Sequence, residues 1–208
     1  MDKCSFDIRD WCAVTNDQVL KNGHLVVSRE NGEQPWLSQI YRAIGMNYPK
    51  FFKMDNLCKV GTLAVELLLD EDVEGLSETR PDWAIVLMNS ASSLDDDRHY
   101  QTTIQDGENY YPSPSVFVYT LANIVTGEIA IRHKIGGESS FFVQPRFEVE
   151  RWLEIAEQTF QANPEVQHIV SGWVDYDEDG CNVLVFNLMR SENGEWVQPV
   201  LKKIPNIG

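Results

Sequence analysis

Residues 175–180 (DYDEDG) place aspartates at alternating positions, Asp175, Asp177 and Asp179, directly before a glycine. EF-hand calcium loops begin with this spacing. Such a loop also needs a bidentate glutamate at its twelfth position and a helix after it. Here the twelfth position is Phe186, and the segment VLVF that leads to it is typical of a strand. The pattern therefore favours an acidic turn over a calcium site.

A second acidic run could also hold a cation. Asp95, Asp96 and Asp97 follow one another in the stretch SASSLDDDRHYQ, two residues before His99. A run of like charges in a polar loop is usually solvated surface, and we predict a surface loop here.

Other motifs that carry chemistry are missing from the sequence. There is no GxSxG or HExxH pattern, so no hydrolase is indicated, and no GxGxxG or GK[ST] loop, so no nucleotide cofactor is expected. The cysteines are scattered without a CxxC pair or clustered histidines, which favours free, mostly buried thiols over a zinc site. These thiols are Cys4, Cys12, Cys58 and Cys181.

The bulk properties indicate one folded domain over residues 1–208. The chain is 43% hydrophobic, and its formal charge of −15 would repel phosphate backbones and anionic lipids, so no nucleic-acid partner is expected. No apolar run approaches the roughly 20 residues that a membrane helix needs, and the start MDKCSFDIRDW has no basic leader. We therefore expect a cytoplasmic protein that does not bind membranes.

Hydrophobic periodicity predicts a mixed α/β order that ends in strands. Helices are predicted from Pro35 to Gly45, over 54–70, and after Pro145 through 147–161, while 114–131 could be helical or irregular. The continuous apolar run WAIVLMNS is typical of a buried parallel strand, and SENG is a hairpin signal between the last two strands. The predicted strands are 6–14, 24–28, 83–90, 168–176, 181–190 and 195–204.

Residues 111–143 (YPSPSVFVYTLANIVTGEIAIRHKIGGESSFFV) resemble the segment before the active-site cysteine of β-ketoacyl synthases. That family pattern is SP-x-F-x-x-x-LPN-x-x-x-G-x-IAI-x-x-x-x-x-GP. Ala122 and Glu138 stand where the pattern has prolines. The matching residues are Ser113, Pro114, Phe117, Leu121, Asn123, Gly127, Ile129, Ala130, Ile131 and Gly137.

The similarity extends over residues 50–190. FFKMDNLCKVGTLAVELLLDE resembles the family's first helix, WAIVLMNS its next core strand, and VSGWVDY the strand that usually ends in AGG. Members of the family have the thiolase fold, in which two similar α/β halves stack. The resemblance implies that this chain is the amino-terminal half, an α/β thiolase-like half-fold with a mixed five-stranded sheet and helices packed on it.

In the family the cysteine nucleophile stands at the amino end of a buried helix, where backbone amides and the helix dipole lower the thiol pKa. Counting from Gly137, that position holds Arg146, which cannot form a thioester. The two histidines and the lysine that assist decarboxylation lie in the family's other half. The family's ketosynthase activity is an acyltransferase reaction. We therefore do not expect this activity from this chain alone.

The helix after Arg146 carries many charges. Burying even one unpaired carboxylate costs several kcal/mol or forces its protonation, so the helix should have a solvent-facing side that no second thiolase half covers. The last strands could close one half-fold as a finished domain, or the chain could be a fragment. The charged residues are Glu148, Glu150, Arg151, Glu154 and Glu157.

The resemblance implies a pseudoenzyme that is auxiliary in fatty acid or polyketide biosynthesis, as chain-length factors are. Such a protein would form a heterodimer with a cysteine-containing ketosynthase, or a homodimer, and an acyl carrier protein is a possible partner. Candidate binding residues are Arg146, Ser113, Phe117 and Asn123. Two alternatives stay open: a ligand-binding protein or divergent enzyme that uses Arg146 to grip a carboxylate or phosphate, and a dimer without an acyl ligand in which Arg146 pairs with a glutamate.

Overall fold

The computed structural model describes residues 5–71, 73–108, 110–192, 194, 197–202 and 204. The strands in this part of the chain are β1 (Phe6–Val14), β2 (Gln18–Lys21), β3 (His24–Ser28), β4 (Trp83–Asn89), β5 (Ser139–Val143), β6 (His168–Asp177) and β7 (Gly180–Arg190). The α-helices are α1 (Trp36–Ala43), α2 (Asn56–Leu69), α3 (Leu94–Ile104), α4 (Pro114–Phe117), α5 (Ile124–His133), α6 (Val149–Ala162) and α7 (Val197–Leu201). Single 3-10 turns span Pro49–Lys53, Val73–Gly75 and Val118–Thr120.

The strands form one mixed sheet in the order β3-β2-β1-β7-β6-β4-β5. β4 runs parallel to both β5 and β6, and the remaining pairs are antiparallel. The expected mixed α/β architecture is confirmed, but the expected count of five strands is wrong, because the sheet has seven.

The two described strands that sequence patterns missed, β2 and β5, are both short. β2 joins β3 through Asn22 and Gly23, which have φ angles of 52° and 85° and so supply the left-handed pair that a tight hairpin requires. β5 is five residues long and pairs with β4 only among the described strands. Neither strand is long enough to show a clear alternating pattern.

Helices cover both faces of the sheet. Ile85 and Leu87 of β4 join the core under α1, α2 and α5, whereas Val86 and Met88 join the core under α6 and α7. Because water is excluded from both faces, β4 is apolar throughout, as predicted for a buried parallel strand. The long helices predicted around residues 54–70 and 147–161 are confirmed as α2 and α6.

Helix α6 is amphipathic in the way its sequence predicts. It buries Trp152 and Phe160 against the sheet, while Glu150, Arg151 and Glu154 are exposed. The indole Nε1 of Trp152 donates to Ser171 Oγ at 2.9 Å within this buried layer. The predicted solvent-facing side of the helix is thus confirmed for the described chain.

Two sequence-based expectations are wrong. The stretch SASSLDDDRHYQ was expected to be a loop, but most of it belongs to α3, whose first turn holds the three aspartates where the helix dipole favours negative charge. The strand expected over 195–204 is also wrong, since its described part forms α7. Residues 195, 196, 203 and 205–208 lie outside the described residues.

The segment left open between helical and irregular structure, 114–131, is helical. It contains α4, a 3-10 turn and most of α5. Among the described residues no single helix is long and apolar enough to cross a membrane; Pro114–Thr120 and Ile124–His133 meet that criterion only as a combined pair, bent by 98°.

Gly137 allows β5 to start close beside β4. A Cβ atom at this position would lie 2.4 Å from the carbonyl oxygen of Trp83 and 3.0 Å from that of Pro81, and the Gly137 N–H donates to Trp83 O at 3.0 Å. Gly127, inside α5, has open space where a Cβ would stand. These two glycines of the same segment therefore have different roles.

We predict opposite effects for alanine at these positions. Gly137→Ala should lower the free energy of unfolding by about 1–3 kcal/mol, because the two carbonyls must move. Gly127→Ala should raise it by about 0.5–1 kcal/mol, because it improves helix propensity without a clash. Urea denaturation followed by circular dichroism measures both, and equal midpoints for the two variants would contradict the assignment.

Candidate functional site

The candidate site is defined by the carboxyl ends of β4, β5 and β6, which meet at one end of the sheet because these strands are parallel. Open α/β sheets commonly bind ligands at this end. Residues 90–93 follow β4 and residues 144–148 follow β5, and the end of β6 around Asp175 lies beside them. The backbone N–H of Gln144 donates to Asn89 O at 2.8 Å, which joins the first two segments.

Asp175 organises the turn after β4. Its carboxylate, 9% exposed, accepts the backbone N–H groups of Ser90 at 3.3 Å and Ala91 at 3.2 Å, and Ser90 Oγ also donates to it. Asn89 closes the same turn by bonding both the N–H and the carbonyl of Ser92. Asp175 therefore positions this turn, and its carboxylate is the hydrogen-bond partner of the Ser90 hydroxyl.

The acidic turn expected after Asp175 is confirmed. β6 continues to Asp177 and β7 begins at Gly180, so the DYDEDG run is a β-hairpin, with Asp177 Oδ1 accepting the N–H of Asp179 at 2.8 Å. Phe186, the twelfth position, is buried in β7. Among the described residues, no group of three or more His, Cys, Asp or Glu side chains is placed to hold a metal ion.

Arg146 lies in the loop between β5 and α6, two residues before the Glu148 N-cap of the helix. Its Nε donates to Glu148 Oε1 at 2.7 Å, and the ion-pair distance between the two side chains is 2.6 Å. The Arg146 side chain is 79% exposed. Phe147 packs its ring 6.0 Å from that of Trp173, so this loop lies over the carboxyl end of β6.

The other candidate binding residues have local partners. Ser113 is the N-cap of α4, accepting the Val116 N–H at 3.4 Å, and Asn123 is the N-cap of α5, where its carbonyl accepts from Thr126 Oγ1 at 2.7 Å. Phe117 is 54% exposed, and its ring lies 5.3 Å from that of Tyr100. No described hydrogen bond or ion pair joins any of the three to Arg146.

A buried carboxylate in α5 connects three elements, and sequence reasoning missed it. Glu128, 5% exposed, lies 2.6 Å from Lys50 Nζ and accepts from the hydroxyl of Tyr119 at 3.1 Å. Burial, followed by the charge of Glu128, raises the pKa of Tyr119. The only sequence signal was a glutamate inside an otherwise apolar helical stretch.

A second buried network lies at the opposite end of the sheet. His133, fully buried at the end of α5, contacts Glu71 Oε1 through Nδ1 at 3.0 Å, and Arg80 forms two hydrogen bonds with the same carboxylate. Burial by itself would raise the pKa of Glu71, but the hydrogen bonds from His133 and Arg80 outweigh it and lower that pKa. These hydrogen bonds connect the end of α5 to the segment before β4.

The aspartate run is not solvated throughout, which corrects the surface expectation. Asp97 is exposed, but Asp96 is only 6% exposed and is the one buried position among the residues of α3. Its Oδ2 has no hydrogen-bond partner among the described residues. Burial, and then the charge of Asp55 at the start of α2, raises the pKa of Asp96 to about 6. A helix, unlike a loop, turns one of three consecutive side chains inward.

The described thiols are buried as predicted. Cys12, Cys58 and Cys181 are free and buried, and Cys4 lies outside the described residues. Burial raises the pKa of Cys12 to about 12 and that of Cys181 to about 11, and it also raises the pKa of Cys58. None of these three is at the amino end of α6.

Comparison with solved structures identifies the class of fold. The chain matches no protein-family model and no curated protein sequence. Its mixed α/β fold is thiolase-like, similar to that of solved ketosynthase and chain length factor structures.

Two structures illustrate this likeness. The structure of the ketosynthase ApeO in complex with its chain length factor ApeC, from Xenorhabdus doucetiae, superposes with a TM-score of 0.61 at 14% identity, covering 92% of this chain and 81% of that one. The ishigamide ketosynthase/chain length factor gives a TM-score of 0.62 at 17% identity, covering 92% of this chain and 63% of that one.

We predict that Asp96 makes stability depend on pH. A carboxyl whose pKa is raised on folding, here from 3.8 to about 6, destabilises the folded state above pH 6. That cost falls as the pH decreases from 6 to 4. Asp96→Asn should raise the free energy of unfolding at pH 7.5 by about 1–3 kcal/mol and remove this component of the pH dependence.

The matched control is Asp97→Asn, which removes an exposed carboxylate from the same helical turn. It should change the unfolding free energy by only a few tenths of a kcal/mol, roughly the effect of one charge at a helix amino end. Urea titrations at pH 4.5, 6 and 7.5 measure both variants. If the unfolding free energies of wild type and Asp96→Asn changed with pH in the same way, the prediction would be contradicted.

Proposed function

We propose that this chain is a non-catalytic β-ketoacyl-synthase-like protein that acts by associating with a ketosynthase in polyketide or fatty acid assembly, as a chain-length factor does. The observation that carries the proposal is Arg146 at the amino end of α6, on a fold shared with ketosynthase and chain length factor structures. By the resemblance described above, that position belongs to the nucleophilic cysteine.

The chemistry of the described residues supports a role without catalysis. A guanidinium has no nucleophilic lone pair at neutral pH and cannot carry an acyl group. The described cysteines are buried with raised pKa values, so they do not provide the thiolate that acyl transfer needs. Ser90, the hydroxyl at the carboxyl end of β4, is held by Asp175.

The surface of the resembling segment supports association with a partner. Among the described residues, β5 has only one neighbour, β4, and so offers the unpaired backbone groups of an edge strand. Exposed apolar side chains concentrate in the chain just before α5, where solvated polar residues would be usual. These are Tyr110, Tyr111, Phe117, Val118 and Leu121.

The arrangement of Arg146 favours this proposal over an anion-gripping enzyme. The guanidinium already has a carboxylate partner in Glu148, and the pair is largely exposed to solvent. An anion would have to displace Glu148 from the guanidinium. The pairing of Arg146 with a glutamate is also the arrangement expected for the alternative of a dimer without an acyl ligand, and the purification described next separates that alternative from association with a ketosynthase.

The first test measures the partner directly. Affinity purification of the tagged protein from its native cells, followed by mass spectrometry, should recover a cysteine-bearing ketosynthase. With that partner purified, Leu121→Arg should weaken association at least tenfold, because a charge would be buried against an apolar surface.

Leu25→Arg is the matched control for that substitution. Leu25 is 58% exposed and Leu121 is 56% exposed, but Leu25 lies on β3 at the other edge of the sheet. It should leave the affinity unchanged. Recovery of a homodimer without a ketosynthase, or equal losses for the two variants, would contradict the proposal.

A second prediction concerns catalysis. Arg146→Cys should not produce condensation activity in the isolated chain, because by the resemblance the histidines and the lysine that assist decarboxylation lie in the family's other half. Of the described histidines, His133 is buried in the network before β4 and His168 begins β6 at the far end. Incorporation of radiolabelled malonyl units should stay at background, with a cysteine-bearing ketosynthase as the positive control. Maleimide labelling would confirm that the new thiol is accessible, and labelled product would contradict the prediction.

A further inference from the structure

A cavity of about 480 Å³ lies apart from the Arg146 loop, on the sheet face covered by α1 and α2. Its walls come from the amino ends of these two helices and from the β6–β7 hairpin. The volume is in the range of small-molecule sites, which is roughly 300–1,000 Å³. The lining includes Asn16, Arg29, Trp36, Leu37, Lys59 and Tyr176.

The cavity contains two cationic side chains without a carboxylate partner. Arg29 and Lys59 both line it, and neither takes part in an ion pair within the described part of the chain. Arg29 uses one guanidinium nitrogen on the backbone carbonyl of Asn16, at 3.1 Å, so its other donors are available. Arg29 is exposed, whereas Lys59 is partly buried; burial raises the pKa of Asp55 overall, although the charge of Lys59 lowers it.

Two of the acidic groups near the cavity have partners of their own. Glu178, on its rim, pairs with Arg98 at 3.3 Å, and Asp55 accepts the backbone N–H of Cys58 at 3.0 Å. Asp179 also lines the rim and is exposed in the hairpin turn. Of the segments that line the cavity, residues 35–65 contain four basic residues and one acidic residue, whereas the hairpin 175–180 contains four acidic residues.

The walls are held in place before any ligand arrives. Asn16 Nδ2 donates to the carbonyl of Asp179 at 2.6 Å, and its Oδ1 accepts the N–H of Cys181 at 2.9 Å, which fixes the hairpin. Trp36 Nε1 donates to Thr15 O at 2.7 Å. Trp36 and Leu37, each 7% exposed, provide the apolar part of the wall. A preformed site avoids the ordering cost of binding.

We propose that this cavity binds a small-molecule anion, with a phosphate or carboxylate head between Arg29 and Lys59 and an apolar portion against Trp36 and Leu37. A guanidinium can hold two oxygens of such a head at once, and an ammonium adds a point charge. Tyr176 is a further residue of the lining. The site is independent of the proposed association with a ketosynthase.

Titration of the ¹⁵N-labelled protein with phenyl phosphate, followed by ¹H–¹⁵N correlation spectra, tests the proposal. Saturable shifts should appear at the residues that line the cavity. Arg29→Gln and Lys59→Gln should each weaken binding at least tenfold. Lys53→Gln removes an exposed lysine from the same basic stretch, outside the cavity, and should leave the affinity unchanged.

Benzoate, phenol and inorganic phosphate separate the parts of the ligand. Tighter binding of phenyl phosphate than benzoate assigns a phosphate head, and equal or tighter binding of benzoate assigns a carboxylate head. Phenol should not bind, since it has no anionic head, and inorganic phosphate should bind more weakly than phenyl phosphate. Failure of both phenyl phosphate and benzoate to saturate, or equal affinities in wild type, Arg29→Gln and Lys59→Gln, would overturn the proposal.

Discussion

The burial of β4 on both faces is the constraint on which the rest of the structure depends. Every residue from Ala84 to Asn89 is shielded from water. A strand of this kind needs neighbours on both edges and helices on both faces, since any open side would expose apolar surface. The parallel pairing of β4 with β5 and β6 then brings their carboxyl ends together. The turn at Ser90, the loop at Arg146 and the end of β6 meet for this reason.

The same layering determines what the amino end of α6 can do. The helix buries Trp152 and Phe160 against the sheet and presents its acidic residues to water. Arg146 is exposed to solvent near this face and forms an ion pair with Glu148. The described thiols are buried in the core, on elements other than α6. None of the described thiols lies at the amino end of α6. The proposed role as an auxiliary partner follows from this separation.

Two buried carboxylates show how much the tertiary contacts decide. Glu128 has Lys50 and Tyr119 as partners, whereas Asp96 faces Asp55 and leaves one oxygen without a partner among the described residues. Burial costs a carboxylate several kcal/mol unless an opposite charge or hydrogen bonds compensate. In the sequence both residues look like ordinary acidic positions. Nothing in the spacing of neighbouring residues shows that Glu128 has partners and that Asp96 lacks one.

Sequence patterns by themselves determined the elements whose signal is local and long. Hydrophobic patterns over seven or more residues predicted the helices α2 and α6 and the strands β4, β6 and β7. Counting from Gly137 placed Arg146 before α6. Only the tertiary structure decided the seven-stranded order, the edge position of β5, the inward turn of Asp96 and the cavity between Arg29 and Lys59. These depend on pairings between residues far apart in the chain, and local periodicity carries no information about such distances.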